Sequence, residues 1–144
     1  MNDFGASVIP PDLQQFKGDI AKDVIFTIIT CGIYGVYWQY RQMKFVNTLS
    51  GEEKFSFVKW LIFSVITCWL YHIYHEYVMG REIVLIQEKF GLSKSDDLPT
   101  ISIILCILGY WVFIAVGIIT DAVQQKEINM IVDKISGSQS PVQA

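Results

Sequence analysis

Charge is scarce in this sequence, and what there is does not cluster. Of 144 residues only 17% are Asp, Glu, Lys or Arg, against 52% apolar and 14% aromatic, whereas soluble domains average about 25% charged. The eleven Lys and Arg are scattered singly and the net charge is −3, so the basic stripe that nucleic acid requires is missing and nucleic acid is not an expected partner. Cysteine is sparse too. Cys31, Cys68 and Cys106 each lie within an apolar run, without the close pairing of a zinc site or the density of a secreted disulfide framework. They are expected to be reduced and buried, as free cysteines are; palmitoylation of Cys31 or Cys68 near an interface is the alternative.

The signatures of catalysis are also missing. There is no Ser/His/Asp set, no phosphate loop, no His-Glu-x-x-His and no paired intramembrane acid in the sequence. The expectation is a protein that is not an enzyme, with no catalytic, cofactor-binding or metal-binding residue. Residues 1–18 are mixed and polar, carry Pro10-Pro11 and lack the basic start, short apolar core and cleavage site of a signal peptide. They read as a flexible N-terminus, and the Ser-, Gly- and Gln-rich residues 136–144 as a disordered tail.

What is present is apolar sequence in three related units, about 19–50, 55–91 and 98–135, which together form one domain over 19–135. Asp19 and Asp23 supply a helix start, and Val24 to Tyr40 is then a run of 17 uncharged residues. As a helix it reaches about 25 Å, short against a hydrocarbon core of about 30 Å. Gly32 and Gly35 interrupt its second half and predict a kink or turn. The second run, Trp60 to Tyr71, is shorter still, in the range of core, re-entrant or interfacial segments. Pro99 opens the third unit at a helix first turn, and Ile101 to Thr120, twenty residues without a charge, is the run that meets the length of a full span. Each run is followed by an amphipathic stretch: Arg41 to Leu49 up to Ser50-Gly51, then Met79, Ile83, Ile86 and Phe90 up to Gly91, then Ile128, Ile131, Val132 and Ile135.

The first two units are copies. A shift of 37 positions lays Ile25-Phe26 on Ile62-Phe63, Ile29-Thr30-Cys31 on Ile66-Thr67-Cys68, and Tyr34, Tyr37 and Tyr40 on Tyr71, Tyr74 and Tyr77. The fold class this predicts is an all-α integral membrane protein of three apolar helical segments, at least one of them open to being kinked or re-entrant, each leading into an amphipathic interfacial helix. Three simple spans divide the Lys and Arg five to six between the two sides, so the positive-inside rule does not orient them. Re-entrant hairpins would instead place every copy on the same side.

Two groups of side chains invite a functional reading. His72 and His75 share a helix face with Glu76 beside them, a set that could hold a metal or relay protons; the plainer expectation is that the chain has reached the interface there and these side chains face water. The two histidines, lying on one face, cannot approach opposite sides of a haem. Tyr34, Tyr37, Trp38 and Tyr40, with Tyr71, Tyr74 and Tyr77, read as an interfacial aromatic belt with Arg41 at the headgroups. Thr30 and Thr67 are placed to bond back to a carbonyl four residues earlier and bend the helix.

The stretch Ile29-Thr-Cys-Gly-Ile-Tyr-Gly-Val-Tyr-Trp-Gln-Tyr-Arg41 resembles the hallmark Thr-x-Gly-Ile-Tyr-x-x-Tyr-Trp of a family of small bacterial membrane proteins catalogued as domain of unknown function 4234, and Gln125-Lys-Glu-Ile-Asn129 resembles its second recurring element. The second unit departs from the hallmark, with Trp69 for Gly32 and His72 for Gly35. The resemblance implies a multi-pass protein of the bacterial inner (plasma) membrane and carries over no activity, cofactor or catalytic residue. The expected role is a structural, scaffold or membrane-interaction module resting on Gly32, Gly35 and the aromatics, with membrane lipids, a second copy or a membrane protein as partner. The competing class is an oligomeric transporter or channel with His72, His75 and Glu76 on its pathway.

Overall fold

The computed structural model describes residues 12–112 and 115–139, with the side chains of 109–112, 115–117 and 139 left aside. Its elements follow from local chemistry. Asp19 starts the first helix, its Oδ1 accepting from the backbone N–H of Ala21 at 3.1 Å and of Lys22 at 3.3 Å, which satisfies two donors that a helix start leaves free. Helix α1 (Ile20–Ile29) lasts ten residues. The chain then reverses through Cys31 (φ 51°) and Gly32 (φ 93°), with the Gly32 N–H donating to the Thr27 carbonyl at 2.8 Å, a helix-terminating left-handed turn. Thr30 serves both sides: its hydroxyl donates to the Phe26 carbonyl at 2.7 Å and accepts from the Tyr34 N–H at 2.9 Å. It closes α1 and caps α2 (Ile33–Ser50). The returning helix passes close to α1, because a Cβ on Gly35 would stand 3.1 Å from Thr27 Cγ2.

The second unit repeats this reversal despite its altered residues. Thr67 donates to the Phe63 carbonyl at 2.6 Å and accepts from the Tyr71 N–H at 2.9 Å, while the Trp69 N–H reaches the Ser64 carbonyl at 2.7 Å. Trp69 therefore holds the left-handed conformation (φ 69°) that glycine holds in the first copy. Helix α3 (Phe57–Ile66) is again ten residues, and α4 (Leu70–Lys89) returns alongside it. Gly51 and Gly91 end α2 and α4 with φ of 81° and 64°.

The third unit corrects an expectation. The apolar run Ile101 to Thr120 is not one spanning helix but parts of two, α5 (Leu98–Val112) and α6 (Ala115–Gln139). They lie antiparallel, since Cys106 Sγ meets Thr120 Oγ1 at 3.6 Å and Gln124 Nε2 donates to Ser102 Oγ at 3.2 Å. Folding the run back lets these polar groups satisfy one another, which a single lipid-facing helix would not. Among the described residues the chain is all-helical, and no helix is long and apolar enough to cross a membrane.

The three long returning helices α2, α4 and α6 run in the same direction. Gln39 meets Glu76 near their starts and Lys89 Nζ reaches the Leu49 carbonyl near the ends of α2 and α4, and the α6 residues Gln124 and Glu127 contact Glu76 and Gln87 in the same order. The hydrophobic core fills the halves remote from the reversals: Val46 and Leu49, Ile83 and Ile86, Ile128 and Ile131 are all buried. Leu13 and Phe16, in a short 3-10 turn, are buried in that core as well, so residues 12–18 are docked rather than loose. Asn129 fixes them further by exchanging hydrogen bonds with the Gly18 backbone at 2.9 and 2.7 Å. At the other end α6 continues to Gln139, past the expected tail boundary; residues 1–11 and 140–144 lie outside the described residues.

Candidate functional site

Two features set this arrangement apart: a polar centre between the long helices and an apolar surface around the reversals. At the centre, Gln39 Nε2 donates to Glu76 Oε1 at 2.6 Å and to Asp121 Oδ1. Gln124 Nε2 donates to Glu76 Oε2 at 2.9 Å, and Gln42 Nε2 to the Asp121 carbonyl at 2.9 Å. All five side chains are buried. The meeting of Gln39, Glu76 and Asp121 shows the third unit in register with the others: Gln39 and Glu76 are separated by the 37-residue repeat, and Asp121 takes the same place in α6.

Neither the absence of a paired acid nor a water-facing Glu76, both expected from the sequence, holds in the structure. Glu76 is wholly buried and shares a donor with Asp121, because the face of α4 that carries it packs inward while Tyr74 and Tyr77 point out. Burial pushes both carboxyls above their usual range, Asp121 further through the nearby Glu76 charge, so the neutral form is favoured. The histidines follow the same rule. Burial lowers His72 to about 4 and His75 to about 3, the latter helped by His72. His72 Nδ1 accepts from the Trp60 indole N–H at 3.3 Å, which fixes that nitrogen as unprotonated, and its 3.6 Å approach to Glu76 Oε1 is a contact between neutral groups. The two imidazoles stack within an aromatic cluster of Trp60, Trp69 and Tyr71. Among the described residues no three His, Cys, Asp or Glu side chains converge as metal ligands.

In the first unit, the place of that cluster is taken by charge. Asp23 is buried, accepts from the Tyr34 hydroxyl at 2.6 Å and pairs with Arg41. Arg41 is thus an internal cation rather than a headgroup contact. Trp38 is likewise no belt residue: it is fully buried, its indole donating to Gln125 Oε1 at 2.9 Å. Tyr37, Tyr40, Tyr74 and Tyr77 do face outward.

Around the reversals the outward surface is apolar. The repeat partners Ile29 and Ile66 are each 70% exposed, and Ile33 is 76% exposed. Phe26 and Phe63, Ile25 and Ile62, and Trp69, Leu70, Ile104, Ile107 and Leu108 continue the surface. Cys31 and Cys68 belong to it, exposed in the two turns where the left-handed backbone turns them outward, so only Cys106 is buried as expected. A monomer with no partner does not ordinarily show so much large apolar surface at one end.

The hairpins define the class: an all-α domain of repeated helix-reversal-helix units. The model of the domain of unknown function family DUF4234 matches residues 18–85, the first two hairpins, a segment that contains the Thr30 to Trp38 motif. The third hairpin, with Gln125 to Asn129, lies outside the matched segment. No curated protein and no solved structure matches. What sequence reasoning missed was the register of the third unit. Its signal was the shared spacing of Val46 and Leu49, Ile83 and Ile86, and Ile128 and Ile131, at a longer offset than 37.

Proposed function

We propose that the protein is a non-enzymatic membrane module that sinks three helical hairpins into one leaflet from a single side, with its packed core left at the water. The observation that carries this is the exposed apolar surface at the reversals, which are all at the same end of three parallel helices. Helices of ten residues reach about 15 Å, half of a hydrocarbon core of about 30 Å. Backbone reversal at that depth requires satisfied polar groups, and the Thr30 and Thr67 hydrogen bonds supply them. Such a module would act by packing, as a scaffold, a subunit or a shaper of one leaflet, in the bacterial plasma membrane that the family resemblance implies. Hydrophobic photolabelling in vesicles tests it: lipid-phase reagent should modify Ile25–Ile33 and Ile62–Leu70 and spare Val46, Ile83 and Ile128. Labelling confined to the core residues would refute it.

An oligomeric transporter or channel with His72, His75 and Glu76 on its path has one observation in its favour. The amide oxygens of Gln39, Gln42 and Gln124 are buried without partners beside the two carboxyls, an oxygen-rich centre for a proton or small cation. A pH-driven flux in liposomes that Glu76→Gln abolishes would select it over the packing role.

A further inference from the structure

The helices flanking the apolar surface segregate charge by sign. Between residues 20 and 48, 57 and 87, and 118 and 132, every acid is buried: Asp23, Glu76, Glu82, Asp121 and Glu127. Over the same stretches every cation except the paired Arg41 is exposed, namely Lys22, Lys44, Lys59, Arg81 and Lys126. Among the described residues the exposed acids lie in the segment before α1, the linkers and the far helix ends, including Asp19, which caps α1. The surface next to the hairpins is therefore cationic although the chain carries −3 overall.

These cations occupy equivalent places. Lys22 and Lys59 are repeat partners at the starts of the short helices. Lys44, Arg81 and Lys126 stand in identical positions after Gln39, Glu76 and Asp121, and because those three side chains meet, the cations share one level. That level is about 15–18 Å from the reversals at 1.5 Å per residue, and half a hydrocarbon core is about 15 Å. Headgroup phosphates would lie at this height when the hairpins fill the leaflet.

Resting on the insertion reading, we infer that the five cations form a collar that selects anionic phospholipids, phosphatidylglycerol or its like, around the inserted hairpins. Each basic side chain at an anionic surface favours binding about fivefold, equivalent to about 1 kcal/mol, and the effect is screened by salt.

The test is flotation of the full-length chain, diluted from detergent, with vesicles of phosphatidylcholine alone or mixed with phosphatidylglycerol. At low salt the mixed vesicles should bind at least about a hundredfold more tightly, an advantage that 0.5 M salt removes. The variant Lys44→Gln/Arg81→Gln/Lys126→Gln should lose about a hundredfold of it, three fivefold factors, while binding neutral vesicles like the parent. Lys134→Gln, exposed on α6 beyond the collar, should keep the preference. Equal binding of the parent to both vesicle types, or a preference that the triple substitution leaves undiminished, overturns the collar while leaving insertion standing. Failure to bind either vesicle overturns both.

Discussion

Gln39 and Glu76 are the same position in two copies of one unit, and their side chains meet, Nε2 to Oε1 at 2.6 Å. A duplicated sequence has placed its own equivalents face to face, with Asp121 of the third unit on the same donor. The contact fixes the register of three hairpins at once. Removing it should unsettle the whole bundle: Glu76→Ala leaves the Gln39 and Gln124 amides without their shared acceptor and should cost about 2–5 kcal/mol, as expected for one or two buried donors each losing about 1–3 kcal/mol. Glu76→Gln, which keeps the shape and an acceptor oxygen, should cost less than half as much. Unfolding in mild detergent followed by circular dichroism measures both.

The ionisable groups of the centre impose opposite pH limbs. His72 and His75, lowered from 6.5 to about 4 and about 3, bind fewer protons folded than unfolded, so their contribution is complete above pH 6.5 and is lost as pH falls toward 4 and below. Glu76 and Asp121 are raised; their contribution is complete below the ordinary carboxylate values and is lost as pH rises through the folded ones. Midpoint temperature against pH should show both losses. Glu76→Gln should flatten the alkaline limb and His75→Phe the acid one; a Glu76→Gln profile identical to the parent's would contradict the buried neutral carboxyl.

Close approach of backbones makes a further prediction. A Cβ on Gly80 would stand 3.0 Å from Pro99 Cα and 3.2 Å from Pro99 N, so Gly80→Val should push α5 from α4 and cost roughly 1–3 kcal/mol through overpacking. Gly32 has open space around it but a φ of 93°, and Gly32→Ala should cost only about 1–2 kcal/mol, the left-handed penalty. Thermal unfolding of the two variants separates crowding from backbone strain.

The cysteines offer a spectroscopic check. Cys31 and Cys68 are exposed in the reversals, whereas Cys106 is buried with its thiol pushed up to about 12. In vesicles a maleimide spin label should attach to the first two and spare the third. Those labels should show high accessibility to oxygen and low accessibility to a water-soluble nickel complex. The reverse accessibilities would place the reversals in water.

Much of this fold was legible in the sequence because it obeys local rules. Asp19, Thr30, Thr67, Gly51, Gly91 and Pro99 act on backbone within a turn or two, and each sits where its chemistry predicts. The centre was not legible because its partners are remote: Gln39 meets residues 37 and 82 positions away, and a charged side chain on an amphipathic pattern is assigned to solvent unless the opposing helix is known. Glu82 and Glu127 follow the same rule: both are buried, their partners being Lys54 and the pair Gln87 and Ser95. Trp69 shows the converse. It lacks the glycine that a left-handed turn favours, yet the Ser64 and Thr67 hydrogen bonds hold the same reversal.

Sidedness tests the central claim most directly. Single cysteines at Ser50, Ser95 and Ser138, in a background without Cys31, Cys68 and Cys106, can be labelled in oriented vesicles with an impermeant maleimide. Three hairpins entering from one side predict that all three positions react from the same side. Reaction of Ser95 from the side opposite Ser50 and Ser138 would mean that the chain crosses the bilayer, and would contradict the account.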